Sequence, residues 1–280
     1  MKDSRKDWRS ELTGRVVTLV AHADDESVCY GALLSRMREA VVVIATDGAP
    51  RDPYFWEHFG SRQAYAAVRR DEAHRAMHLA GVRELVLLAE ADSRLEDQRL
   101  FLNLAPAYEL LEKLAQRICP QAICTLAYEG GHPDHDSCSL LAARLGRQFD
   151  VPVWESPVYS RNNPAAQAGC EGNGEAQSCE GQSRQGTPRI QQFLRETGDE
   201  VTLEIDPAEF ERKCAMCAQY ASQGDFLKTF DARREIFRPQ VNYDYAKPPH
   251  PGPTNYEQWR WWMSAREVSS KFAEFLESKI

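Results

Sequence analysis

The chain has 280 residues, 42% of them hydrophobic, and a formal net charge of -8 at pH 7, enough for one large domain with a real core. A net acidic surface argues against binding the phosphate backbone of nucleic acid through a broad basic face. No stretch approaches the roughly 18 to 20 apolar residues of a membrane-spanning helix, and MKDSRKDWRSELTG at the start lacks the apolar core of a secretion signal, so a soluble, cytoplasmic protein is expected.

Residues 1–14 read as a polar extension. Five short runs, apolar or β-branched, follow: RVVTLV (Arg15 to Val20), AVVVIAT (Ala40 to Thr46), ELVLLA (Glu84 to Ala89), AICTLA (Ala122 to Ala127) and VPVWE (Val151 to Glu155). Such runs suit strands covered on both faces of a parallel sheet. Helices are expected between them, over Ser27 to Glu39, Arg62 to Ala80, Ala105 to Ile118 and Ser137 to Phe149. Repeated βα units with right-handed crossovers predict an α/β, Rossmann-like, mostly parallel sheet with helices on both faces. Ligands of such sheets bind beyond the carboxyl ends of the strands. Three polar clusters fall there: AHADDE, TDGAP and YEGGHPDHD, after the first, second and fourth strands.

From Ser160 to Pro188 the composition turns to Gly, Asn, Gln and Ser with hardly a large apolar residue, which predicts a mobile loop able to serve as a lid. RIQQFL and EVTLEI then read as a small two-stranded excursion, and Pro207 to about Gln223 as a helix. Residues 240–280 read as a proline-rich aromatic segment closing in a helix, Ser264 to Glu277. Residues 1–280 are thus read as one domain. Eight scattered cysteines without a secretion signal are expected to be reduced. Cys214 and Cys217 form a CxxC with no second pair at zinc spacing, and read as small helix residues.

The acidic run is the first chemical signal. Asp24, Asp25 and Glu26 repel one another, and a helix N-terminus accounts for one or two of them. It does not account for His22 or the distant HPDH. His22 and Asp25 are three apart on a turn opening a helix, and His132 and His135 repeat that spacing after another strand. Four candidate ligands therefore reach one sheet edge from two loops, the residue types that hold a catalytic zinc with a position left open. His/carboxylate ligands accept Fe(II) as well as Zn(II). Asp24 is the candidate for an unligated base.

AHADDE resembles the AHPDDE motif, and HPDH matches the second motif, of the PIG-L/LmbE-like family of zinc-dependent N-deacetylases. That family includes N-acetylglucosaminyl-phosphatidylinositol deacetylases and the glucosaminyl deacetylases of bacterial thiol pathways. The similarity runs through TDG, VRRDEAHRAMHLAGV and WESPVY to RKCAMCAQYASQGDFLKTF and REIFRP, over most of residues 15–240. The resemblance implies His22, Asp25 and His135 as metal ligands and Asp24 as general base. It implies His132 as oxyanion stabiliser or acid toward the leaving amine, and Asp134 as the residue that orients a histidine. Arg69 and Asp92 fall where the family contacts substrate, with Arg70 one step out of register. Ala23 replaces the motif's proline and leaves the turn slightly less pre-organised. Ser93 stands where the family often has glycine.

The expected activity is therefore metal-dependent hydrolysis of an N-acyl group, an acetyl first of all, from an amino sugar or its small-molecule conjugate. Two other classes stand beside it. One is a metal-dependent phosphoesterase; the other is a non-catalytic sugar- or nucleotide-binding module, which the lack of GxGxxG after the first strand disfavours. His74 and His78, at i and i+4, lack the HExxH glutamate and read as surface residues, Asp47-Gly48 reads as a turn or substrate floor, and His250 is placed at the site mouth. Tyr256, Trp259, Trp261 and Trp262 read as a tail anchor in preference to a sugar-stacking rim. The sugar, the aglycone and the oligomeric state are left open.

Overall fold

The computed structural model describes residues 8–161 and 188–278. Strands β1 (Arg15–Val20), β2 (Glu39–Ile44), β3 (Glu84–Leu87), β4 (Ala122–Leu126) and β5 (Val153–Ser156) run parallel in the order β3-β2-β1-β4-β5. The expected apolar runs are all here, with ends shifted by up to two residues. β5 starts late because Pro152 has no N–H for a ladder. Strands β6 (Tyr159–Arg161) and β7 (Pro188–Ile190) pair apart from the main sheet, while β8 (Val201–Thr202) and β9 (Ile236–Pro239) extend it antiparallel beyond β5.

That last arrangement corrects the expected two-stranded excursion. RIQQFL and EVTLEI do not pair with each other; each finds a more distant strand. The ten residues between Ile190 and Val201 offer no tight hairpin turn, and a buried Arg238–Glu155 pair at 2.8 Å fixes β9 on β5, giving β8 an edge to join. The predicted loop between β6 and β7 lies almost wholly outside the described residues.

The helices are α1 (Trp8–Leu12), α2 (Asp25–Leu34), α3 (Arg62–Ala80), α4 (Leu88–Ala91), α5 (Leu104–Ile118), α6 (Pro133–Phe149), α7 (Pro207–Cys217), α8 (Gly224–Leu227), α9 (Asn255–Gln258) and α10 (Ala265–Glu277). Helix α3 has the expected bounds, with Ser61 accepting from Ala64 N–H at its start and Gly81 at φ 67° ending it. The supposed polar extension contains α1, whose Trp8 packs edge-on against Phe237 at 5.5 Å and whose Glu11 accepts from the Trp154 indole at 2.8 Å. Helix α7 stops at Cys217, short of the expected Gln223, and a separate tight turn covers Ala221–Gln223. One contiguous apolar cluster runs from Trp8 to Phe275. No helix among the described residues is long and apolar enough to cross a membrane.

Helix α2 is buried along its whole length and ends at Leu34, five residues before the predicted Glu39. A buried ion pair, Lys213–Glu235 at 2.9 Å, inserts into it. Lys213 Nζ donates to Val28 O at 2.8 Å, and Glu235 accepts from Ala32 and Leu33 N–H at 2.6 and 3.0 Å. Gly31 gives the lysine room, since a Cβ there would lie 3.0 Å from Lys213 Cγ. The pair ties the α2 backbone to α7 and to the segment before β9.

The strand order reverses between β1 and β4, so the loops leaving their carboxyl ends diverge and open a crevice. Both histidine motifs sit there.

Candidate metal centre

The turn after β1 gives each of the three carboxylates its own task. Glu26 is a strut: its Oε2 accepts from Asp24 N–H at 3.0 Å and its Oε1 from Ser27 Oγ at 2.7 Å, with Tyr220 donating to the same oxygen. That strut holds Asp24 at φ 136°, a conformation non-glycine residues rarely adopt. Asp25 Oδ2 accepts from His22 N–H at 2.8 Å and thereby closes the turn. Asp24 faces Arg69, its Oδ2 lying 3.3 Å from Nη2.

HPDH is not a loop before a helix, as expected, but the first turn of α6. His132 is the N-cap, its Nδ1 accepting from Asp134 N–H at 3.1 Å, and Pro133 occupies the first helical position. His135 is thus carried on a rigid turn against Asp25 and His22. His22 Nδ1 lies 3.2 Å from His135 Nε2; His135 Nε2 lies 3.3 Å from Asp25 Oδ1; His22 Nδ1 lies 3.5 Å from Asp25 Oδ2. Metal–ligand bonds of about 2.1 Å in a tetrahedron place ligand atoms about 3.4 Å apart. These spacings are close to that value, with Asp25 facing His135 through Oδ1 and His22 through Oδ2.

The far side of His22 is held by two carboxylates. Its Nε2 is 3.4 Å from Asp134 Oδ2 and 3.4 Å from Asp97 Oδ1. Asp134 is itself fixed by Gln98 and Leu100 N–H groups at 2.6 and 3.0 Å. A proton on Nε2, shared with these acids, leaves Nδ1 free to donate its electron pair. Burial lowers the His22 pKa, but Asp97, Asp134 and Asp25 together raise it well above the ordinary value. A field that holds a proton in this way also favours a metal cation. For Asp25, burial is outweighed by His135 and His22, and its pKa is lowered. Asp24 differs: burial, with Asp25 and Glu26 adding and Arg69 opposing, pushes it up to about 7.

Sequence reasoning missed Asp97. Its Oδ1 is 3.4 Å from His132 Nε2 as well as from His22, and Asp47 braces it by accepting from Asp97 N–H at 3.1 Å. The three histidines His22, His132 and His135 form one buried group of possible donors, and His22, Asp97, His132 and Asp134 form a second. Asp92, five residues earlier, is not brought to this cluster: Arg94 grips its carboxylate at 2.6 to 3.1 Å near the surface. A carboxylate in the loop beyond β3 was the available signal, and spacing alone did not choose among Asp92, Glu96 and Asp97. Arg69 is buried and faces the cluster, whereas Arg70 lies toward solvent near Asp71 and Glu90.

Aromatic rings cover the histidines. Trp261 packs edge-on against His132 at 4.9 Å, Tyr159 against His135 at 5.3 Å, and Trp259 against Tyr159 at 5.9 Å. The tail-anchor and rim readings divide among the rings. Tyr256 is buried, while Trp259 and Trp262 are 41% and 52% exposed. A cavity of about 530 Å³ opens beside Asp97, between Tyr54 and the three tryptophans. His250 packs against Gly130, beside the α6 turn, and His74 and His78 are exposed on α3. Cys214 and Cys217 are half-buried, with burial pushing the Cys217 thiol up to about 12, as suits a packing residue.

Glu129 positions the ring over His135 by accepting from Val158 and Tyr159 N–H, both at 2.9 Å. Burial, opposed by these bonds and aided by Asp136, pushes its carboxyl up to about 8. An acid raised in the folded state binds its proton more tightly there than when unfolded. Its stabilising share is full below the unfolded value near 4 and falls as pH rises through about 8. Glu129→Gln keeps the acceptor oxygen and is expected to remove that loss. Thermal melts should then favour the variant increasingly from about pH 5 to about pH 9; a gap that does not widen with pH would refute the assignment.

Residues 17–145 match the family model described as PIG-L: GlcNAc-PI de-N-acetylase. This stretch, just under half of the chain, is similar to the PIG-L family. Among solved structures, a deacetylase in the biosynthesis pathway of teicoplanin aligns with a TM-score of 0.58 and 16% identity, over 82% of this chain and 99% of that one. The N,N'-diacetylchitobiose deacetylase from Pyrococcus horikoshii aligns with a TM-score of 0.50 and 18% identity, over 85% of this chain and 88% of that one. At these identities the likeness establishes a shared fold. No curated protein matches the sequence. The matched segment contains every residue of both donor groups, with Asp24, Asp25 and Arg69; Tyr159 and the tryptophan roof lie beyond it.

Proposed function

We propose that the protein is a metal-dependent N-deacylase that removes an acyl group, an acetyl first of all, from an amino sugar carried in a small-molecule conjugate. The observation that carries this reading is the convergence of His22, Asp25 and His135 at 3.2 to 3.5 Å with Asp24 left beside them, unligated. On this reading those three residues hold the ion, zinc or Fe(II). A bound divalent ion polarises the acyl oxygen and makes water a better nucleophile.

Asp24 accepts the proton of the attacking water, and Arg69 orients its carboxylate. His132 faces the developing oxyanion or returns the proton to the leaving amine. Asp97 steadies both His22 and His132, and Asp134 holds His22 in the donating tautomer. The tryptophan and tyrosine rings keep bulk water from the histidines.

The second donor group invites a two-metal phosphoesterase reading, but it shares His22 with the first, and both oxygens of its Asp134 already accept from the Gln98 and Leu100 N–H groups. Metal-loaded protein should release free amine from at least one member of a panel of N-acetylated amino-sugar conjugates. Hydrolysis of aryl phosphates with no amine released from any amide would overturn the proposal.

A further inference from the structure

Helix α9, like α5 at Cys119 and α6 at Asp150, ends over a left-handed residue that is not glycine. Arg260 N–H donates to Glu257 O at 3.1 Å and Trp261 N–H to Tyr256 O at 2.9 Å, the paired bonds that close a helix over a left-handed residue. Glycine fits that position without strain; here it is Arg260, at φ 58°. A side chain in this conformation is strained, and such strain concentrates at ligand-binding positions. The strained residue lies between Trp259 and Trp261 and is one of the residues that line the cavity beside Asp97.

The charges around this cavity are already assigned, with one exception. Arg51 is 2.7 Å and Arg99 3.7 Å from Glu96, and Arg99 also lies over the Trp262 ring at 4.8 Å. Asp52 turns its carboxylate to Tyr54 N–H at 3.0 Å. Asp97 faces the histidines. Arg260 has no carboxylate partner among the described residues. Around it stand exposed rings: Trp259 at 41%, Trp262 at 52% and Tyr54 at 76%. Flat apolar faces beside a free guanidinium suit a ligand with a ring and an anion. Asp97 repels an anion from the floor, so the anion belongs to the part of the ligand that leads outward.

We propose that Arg260, with Trp259 and Trp262, forms a specificity subsite for the aglycone of the substrate, selecting conjugates that carry a phosphate or carboxylate next to the sugar. The assignment rests on the deacylase reading for which part of the ligand lies here. Arg260 acts by binding and takes no part in bond cleavage. A charge-assisted, bidentate contact of this kind corresponds to about 10- to 100-fold in affinity.

The test uses three probes: phenyl N-acetyl-β-glucosaminide, its carboxyphenyl counterpart and N-acetylglucosamine 1-phosphate. Binding is followed by tryptophan fluorescence and turnover by amine release. Arg260→Gly should lower the ratio of carboxyphenyl or phosphate affinity to phenyl affinity by about 10- to 100-fold. The same variant should melt at a temperature equal to or a few degrees above the parent, because glycine relieves the strain. Arg260→Lys keeps charge and strain but not the two-pronged contact, and should keep only part of the ratio. A melting temperature that falls in Arg260→Gly, a ratio that does not change, or no preference of the parent for either anionic probe would each overturn the proposal. Binding discrimination without amide cleavage would refute the deacylase reading and leave the anion subsite standing; cleavage without discrimination would do the reverse.

Discussion

Asp24→Asn is expected to keep its metal and lose turnover, kcat falling by about 10²- to 10⁴-fold, the contribution of a positioned general base. Metal retention follows from the geometry. Asp24 does not contribute to the His22, Asp25 and His135 trio, and Glu26 holds the turn through the Asp24 backbone. Asparagine tolerates positive φ about as well as aspartate. What changes is basicity. With burial holding the Asp24 carboxyl at about 7 in the metal-free chain, and a bound cation drawing it lower, the parent's rate should rise with pH through an acid limb that the variant lacks. Metal content and single-turnover amide cleavage decide the matter. Near-parental cleavage by metal-replete Asp24→Asn would remove Asp24 from the mechanism.

His135→Ala fails in the opposite order, losing metal first and activity as a result. Three protein donors leave no spare, so affinity should drop by more than about 100-fold, the upper end of what supporting residues alone cause. Asp25→Asn should weaken metal binding too, yet recover some turnover in excess metal, because its amide oxygen remains a weak ligand. If these carboxylates only capped α2, Asp24→Asn and Asp25→Asn would lose similar, modest stability and keep their turnover. His74→Ala, on the exposed face of α3, is the control and should alter neither metal content nor rate. Full metal and activity in His135→Ala would refute the ligand set.

Strands and long helices were legible in the sequence because burial on both sheet faces demands unbroken apolar runs, and because Ser61 and Gly81 mark the ends of α3 chemically. The start of α6 was legible too, but misread. Pro133 and Asp134 after a histidine are helix-opening residues, and they place HPDH on a rigid turn. Asp97 was not legible, since nothing periodic distinguishes it from Asp92 or Glu96; Asp47 and the histidines select it in three dimensions. The pairing of β7 with β6 and of β8 with β9 depended on edges that no local pattern announces. For the aromatic tail, composition supplied the rings, and packing decided that Tyr256 anchors while Trp259 and Trp262 stay open.

The ion pair set into α2 changes what that helix reports about the molecule. A backbone amide inside an ordinary helix exchanges its hydrogen with solvent when the helix itself opens. The Ala32 and Leu33 amides are guarded instead by Glu235, whose oxygens lie 203 and 202 positions away in sequence. Their protection lasts as long as the segment before β9 stays docked, and ends when it lifts, even if α2 remains coiled. These two amides therefore time the opening of the distant half of the chain from within the helix that begins at Asp25.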